Sequence, residues 1–231
     1  MIRWFLLLFS CIISLLNAAA PYQAKDYSQL LGMPGFSDDL LKMHFKLYQG
    51  YVKSTNELTL QLNVLGKGGQ ARSYEYGALK RRFGWEFDGM RLHELYFDNL
   101  GGEGDFNSAP LLMKALLAQY GSYQKWKSDF IATGLIRGIG WAILYIDSED
   151  GRLINTWINE HDTGHLATGS ILLVMDVFEH AFMPQFGLDK EKYIDVFFSN
   201  LNWKAVEERF LSFFPAGEMK KKKNQHGSAQ Y

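Results

Sequence analysis

Between residues 37 and 62 the apolar positions fall three, four or seven apart: Leu40, Met43, Leu47, Tyr51, Leu58 and Leu62. That period lays side chains along one face of a helix. Ser37 precedes the pattern and can accept a hydrogen bond from the helix's first free N–H groups. Asp38 and Asp39 fall in the first turn, where the helix dipole favours anions. Gly66-Lys67-Gly68-Gly69 interrupts the pattern. A second helical segment, YEYGALKRRFGWEFDGMRLHELYFDNL, follows and stops at Gly101-Gly102, with a kink expected at Gly84 or Gly89. Two long helices joined by a short break predict an antiparallel helical hairpin. The residues before it, up to about 35, read as a linker.

The second half changes period. SAPLLMKALLAQYG and SYQKWKSDFIATGL read as two shorter helices capped by Ser108 and Ser122. In GIGWAILYIDSEDGRLINTWIN, β-branched and aromatic residues flank Glu149-Asp150-Gly151, a hairpin turn signal. SILLVMDV is a short buried strand, and DKEKYIDVFFSNL and NWKAVEERFLSFF are helical. The predicted class is α+β: a helical hairpin lobe over residues 27–107, then an α/β lobe with a small antiparallel sheet over residues 108–214. Residues 215–231, with four lysines at 220–223, read as a disordered basic tail.

One apolar run belongs to neither lobe. Arg3, the stretch Trp4 to Leu16 and Ala18-Ala19-Ala20 have the layout of a secretory signal peptide over residues 1–20. The run is too short to span a bilayer comfortably. This predicts a periplasmic or secreted protein with no stable membrane association after cleavage. Cys11 is the chain's single cysteine, and cleavage removes it. Leu8-Phe9-Ser10 before it makes a poor lipidation signal. A mature chain without thiols holds its fold by its core and any metal by His and carboxylate. Net charge is −1 over 231 residues, so no global field points to nucleic acid.

The chemistry is concentrated in ILLVMDVFEHAFMPQFG. Five apolar residues run into Asp176, and His180 follows four positions later. A carboxylate ending an apolar run needs compensation. His44 and His93 each sit mid-helix among apolar and aromatic neighbours. Taken singly, a histidine there is more often a satisfied core residue than a ligand. Three of them with one carboxylate can offset most of the charge of a divalent or trivalent ion and leave a position open; iron, manganese and zinc all accept such donors.

Six ordered blocks, HFKLYQGYV, LHELYFDNL, GSYQKWKSDF, GIGWAIL, DVFEHAF and YIDVFFSNLNW, make the chain resemble the iron/manganese superoxide dismutases from about residue 27 to 213. The resemblance implies one iron or manganese ion per subunit, held by His44, His93, Asp176 and His180 with solvent at a fifth position. It implies one-electron cycling of that metal against superoxide, a homodimer, Tyr51 as the residue gating access, Lys190 as the cation guiding the anion, and Glu179 reaching across the dimer to the partner's ligand histidine. Two other classes stay open on the residues: a relative that keeps the metal only for structure or binding, and a mononuclear iron oxygenase, against which a third histidine counts.

The chain departs from the family pattern in places. His44 to Tyr51 is one residue short, which implies a local adjustment at His44. Leu47 and Met183 replace a His and a Tyr that commonly bridge the dimer, and Phe178 replaces a Trp, whereas Trp141 is kept. Gly89 stands where iron-type members carry a Gln; manganese-type members place that Gln on the sheet, where this chain has His161. The implication is that His161 contacts the metal's solvent. An ordinary imidazole titrates near pH ~6.5, which would give activity a pH dependence that Gln does not.

Overall fold

The computed structural model describes residues 20–214. The signal-peptide reading, apart from Ala20, and the basic tail lie outside the described residues. Helix α1 spans Asp38–Lys67 and α2 spans Tyr74–Asp98, and they pack together as the hairpin. Ser37 caps α1, its side chain accepting from the Leu40 N–H. The buried stripe runs through Leu41, His44, Tyr48, Val52, Leu58 and Leu62, while Met43 is exposed and Leu47 half-buried at its edge. Helix α2 continues through Gly84 and Gly89. The two glycines admit neighbours rather than end the helix: a Cβ at Gly84 would meet Asp162, and one at Gly89 would meet Tyr51.

The segment expected as a linker is packed. Tyr27, Leu30, Met33 and Phe36 are buried, and a 3-10 turn forms at Ser28–Leu30. Its strap-like path is tied to the hairpin by side chains. The Tyr27 hydroxyl reaches the Glu94 carbonyl at 3.2 Å, and Asn56 exchanges hydrogen bonds with the backbone of Tyr22.

After a 3-10 turn at Phe106–Ser108 come α3 (Pro110–Tyr120), α4 (Tyr123–Gly134), β1 (Trp141–Asp147), β2 (Leu153–Ile158), β3 (Gly169–Asp176), α5 (Glu179–Phe186), α6 (Lys190–Ser199) and α7 (Trp203–Ser212). Ser122 caps α4 as expected. Ser108 does not cap α3, because its hydroxyl is spent on the Asp105 carbonyl. The free N–H groups of Leu111 and Leu112 donate instead to the Glu207 carboxylate, arriving from α7 at 2.9 and 2.8 Å. A carboxylate at a helix N-terminus is favoured whichever part of the chain supplies it.

The three strands form an antiparallel sheet in the order β2-β1-β3. The central strand is buried from Trp141 to Ile146, with helices α4 against β1 and β2 and α2 and α7 against β3. Trp141, the first residue of β1, pairs with Asp176, the last of β3. The GIGW turn makes this possible. Gly140 sits at φ +133°, and a Cβ there would fall onto the Ile158 carbonyl, so only glycine brings Trp141 into that register. At the junction of the lobes Asn99 donates to the Val174 carbonyl (2.8 Å), and its own carbonyl accepts from Asn202 N–H (2.7 Å). Half-buried Arg209 reaches the Asn99 side chain and the Leu172 carbonyl.

Candidate metal centre

Four elements deliver one side chain each to a single point. His44 comes from α1, His93 from α2, Asp176 from the end of β3 and His180 from the first turn of α5. Their ligand atoms all lie within 4.8 Å of one another. Nε2 of His44 and Nε2 of His180 are each 3.1 Å from Asp176 Oδ2, and Nε2 of His93 is 3.6 Å from it. His44, His93 and Asp176 are buried, and the His180 side chain is about a quarter exposed. Phe97 packs on His44, Trp141 on His93 and Phe178 on His180.

Two of the donors, His93 and Asp176, are held from behind. His93 Nδ1 donates to the Gly89 carbonyl at 2.6 Å, which leaves Nε2 as a bare lone pair turned inward. Asp176 Oδ1 accepts from the Phe178 N–H at 2.8 Å, and the Asp176 carbonyl accepts from the Tyr193 hydroxyl at 2.6 Å. Burial pushes the Asp176 carboxyl up, but His180 and His44 together outweigh it and hold it well below the usual carboxylate range. Burial lowers His44, and lowers His93 further with His44 beside it. The chemistry that results is an anion beside two imidazoles, His44 and His93, that burial keeps neutral. One atom decides whether a cation belongs there: His93 Nε2 is buried and without a hydrogen-bond partner. An orphan of that kind costs about 1–3 kcal/mol, and a metal ion at the centre of the cluster satisfies it.

Beside the cluster, Tyr51 stacks on His93 with ring centroids 5.1 Å apart. The short interval from His44 needs no adjustment. Seven residues are close to two turns at about 3.6 residues per turn, and α1 is α-helical throughout, so both residues share one stripe. Nε2 of His161 is 2.7 Å from the Tyr51 hydroxyl, and Nδ1 accepts from the Trp141 indole N–H at 3.1 Å. An indole nitrogen only donates, so Nδ1 is bare and the proton of the neutral ring sits on Nε2, which donates to Tyr51. Both ring nitrogens are therefore engaged, and His161 addresses the site through the Tyr51 hydroxyl. Burial, only partly opposed by Asp176, lowers His161 to about 4. The titration near neutral pH expected from the sequence is thus moved into the acid range.

Lys190 opens α6 with its ammonium 3.3–3.5 Å from the carbonyls of Gly134, Ile136 and Gly138. Burial lowers its pKa, with Glu179 opposing. Glu179 is exposed beside His180, and Met183 is exposed one turn along α5. Sequence reasoning missed Tyr193, which holds the Asp176 carbonyl, Trp85, whose ring lies 4.6 Å from that of His161, and His165, which bonds to the His161 backbone. Tyr193 lies inside the YIDVFFSNLNW block. His165 carries no sequence signal, since a loop histidine has no period.

Residues 108–209 match the family model for iron/manganese superoxide dismutases, C-terminal domain. The chain is 34% identical over 183 residues to the "Superoxide dismutase [Fe]" of Cupriavidus metallidurans, covering 78% of this chain and 91% of that protein. It is 35% identical over 204 residues to the "Superoxide dismutase [Fe]" of Aquifex aeolicus, covering 85% and 94%. The chain belongs to the iron/manganese superoxide dismutase family. A third relative, "Superoxide dismutase [Mn] 2" of Haloferax volcanii, is 30% identical over 178 residues and covers 77% of this chain and 88% of its own length. The superoxide dismutase relatives thus carry both metal names. The fold is the helical hairpin followed by an α/β lobe that the sequence predicts for this family.

Proposed function

We propose that His44, His93, Asp176 and His180 hold one iron or manganese ion, and that with it this member of the superoxide dismutase family converts superoxide to oxygen and hydrogen peroxide. The observation that carries this reading is the convergence of three imidazoles on one buried carboxylate, with His93 Nε2 turned inward and unpartnered. When bound, such an ion supplies the one-electron chemistry by which one superoxide loses an electron and another gains one. The chain's own residues supply the rest. Asp176 offsets part of the metal's charge, and Gly89 and Tyr193 fix the directions of His93 and Asp176. Reduction to peroxide consumes protons. His161 donates to Tyr51, so the Tyr51 hydroxyl proton is not spent on His161 and remains available to an oxygen in the site. Four protein donors speak against an iron oxygenase, which needs more open positions.

The test is metal analysis with a superoxide assay on the purified chain and on the four single Ala variants. Metal and activity lost together support the site. Full metal with no activity in the unaltered chain indicates the non-catalytic alternative.

Assembly and location belong to the same proposal. Exposed Glu179 beside a partly exposed His180, with apolar Met183 on the same helix, suits a homodimer face that completes the site. Sedimentation of Glu179→Ala against the unaltered chain tests it, with a weaker dimer expected. Export to the periplasm or medium rests on Arg3, the apolar run and the Ala triplet. Mass spectrometry of the native protein is expected to find a start near residues 19–21, and an intact Met1 would refute export with cleavage. Lys190 would contribute positive potential for an anion while clamping the loop after α4.

A further inference from the structure

The loop between β2 and β3 has to hold the His161 ring between Trp141 and Tyr51, yet its backbone does little to hold itself. Among the described residues, none from Glu160 to His165 takes part in a backbone–backbone hydrogen bond. Two side-chain anchors replace them. One is the His161 ring itself. The other is His165, whose Nε2 lies 2.7 Å from the His161 carbonyl and whose Nδ1 lies 2.6 Å from the Tyr145 hydroxyl. A carbonyl only accepts, so the His165 proton sits on Nε2, and in the neutral ring Nδ1 accepts from Tyr145. Tyr145 is buried in the central strand β1, the same strand that begins with Trp141. Asp88 on α2 stands 3.8 Å from His165 Nε2.

We propose that His165 is a positioning residue: it ties the His161 backbone to Tyr145 on β1, so that one strand fixes both the carbonyl and the ring of His161. The ring's contact with Trp141 sets which nitrogen carries the proton. The backbone tie sets how squarely that proton meets the Tyr51 oxygen. The inference rests on the reading of His161 given above, and the experiment separates the two.

Metal-loaded protein is compared with its His165→Phe, Tyr145→Phe, His165→Gln and His161→Ala variants. Phe at 165 removes both bonds, whereas Gln can still accept from Tyr145 and donate to the His161 carbonyl. His165→Phe is expected to keep its metal, to lose roughly tenfold in activity per bound metal, and to shift the midpoint potential. Tyr145→Phe changes both less and in the same direction, and His165→Gln recovers most of each. A readout independent of turnover is nitrogen NMR of labelled His161 with redox-silent zinc in the site. The unaltered chain should show a protonated Nε2 and a bare Nδ1, and His165→Phe a mixture of tautomers. If His165→Phe leaves potential and nitrogen signals unchanged while His161→Ala shifts the potential, His165 has no such role and the reading of His161 stands. If His161→Ala itself shifts nothing, both fall. Activity lost only in step with metal also overturns the proposal, since that is a structural loss. Should His165→Phe fail to fold, Tyr145→Phe decides by the same two readouts.

Discussion

Tyr51 and His161 lie 110 residues apart in the chain and 2.7 Å apart at the Tyr51 hydroxyl and the His161 Nε2. Neither the helix that carries Tyr51 nor the loop that carries His161 sets that distance alone. Gly89 does part of it, because a Cβ there would stand 2.7 Å from Tyr51 Cδ1. The absence of a side chain on α2 lets the ring settle on His93 and reach His161. The chain thus has room for an outer partner from the β2–β3 loop because it lacks one from the helix.

Gly89→Ala follows from that contact. In an open helix position this change gains about 1 kcal/mol. Here the methyl must displace the Tyr51 ring, so the gain should vanish or reverse, and activity per bound metal should fall while metal content stays close to native. Thermal unfolding with metal analysis and a superoxide assay checks all three. A stabilised, fully active variant would contradict the geometry.

Asp176→Ala removes the only anion among the four converging donors. Three neutral imidazoles then face a cation without compensation. Outer-shell changes alone typically cost 10–100-fold in affinity, so metal affinity should drop by more than roughly 100-fold, and activity with it. Metal titration monitored by unfolding temperature measures this. Asp176→Asn keeps the shape and is expected to lose less than Ala.

Acid should destabilise the fold through His161. Its folded pKa is about 4, below the ~6.5 of an unfolded histidine. Between those values the unfolded chain binds a proton that the folded chain does not, so stability falls as pH drops through that window and is fully present above it. Asp176 acts in the same direction at lower pH, since its folded pKa is depressed. His161→Gln should reduce the loss between pH ~6.5 and 4 in denaturant unfolding without abolishing it, since burial lowers His44 and His93 as well, while leaving activity near neutral pH without a new titration. An unchanged acid profile would show that His161 charges as easily in the folded state as in the unfolded.

The cap on α3 gives a paired test away from the metal. Glu207→Ala leaves the Leu111 and Leu112 N–H groups without their acceptor, at an expected cost of about 1–2 kcal/mol. Ser108→Ala should change stability by less than about 0.5 kcal/mol, because its hydroxyl serves only the Asp105 carbonyl. Equal effects from the two would return the cap to Ser108.

The four converging side chains were legible because each sits in a signal that local rules produce. His44 and His93 interrupt helical stripes, and Asp176 ends the apolar run from Ile171 to Met175. The helices, the hairpin turn at Glu149-Asp150-Gly151 and the caps at Ser37 and Ser122 follow from period and turn chemistry, which depend on neighbours a few residues away. What failed depended on distant groups. The segment before residue 37 has no period, yet it is buried against the hairpin. Ser108 has the right chemistry for a cap and lost the position to a carboxylate 99 residues on. The pKa of His161 was unreadable for the same reason: desolvation is a property of the packed surroundings, and Trp85, Trp141, Phe178 and Tyr51 come from four segments. The sequence by itself determined the donor set and the elements that carry it. Only the tertiary structure decided which protons those donors keep, because that depends on burial and on hydrogen-bond partners brought in from elsewhere in the chain.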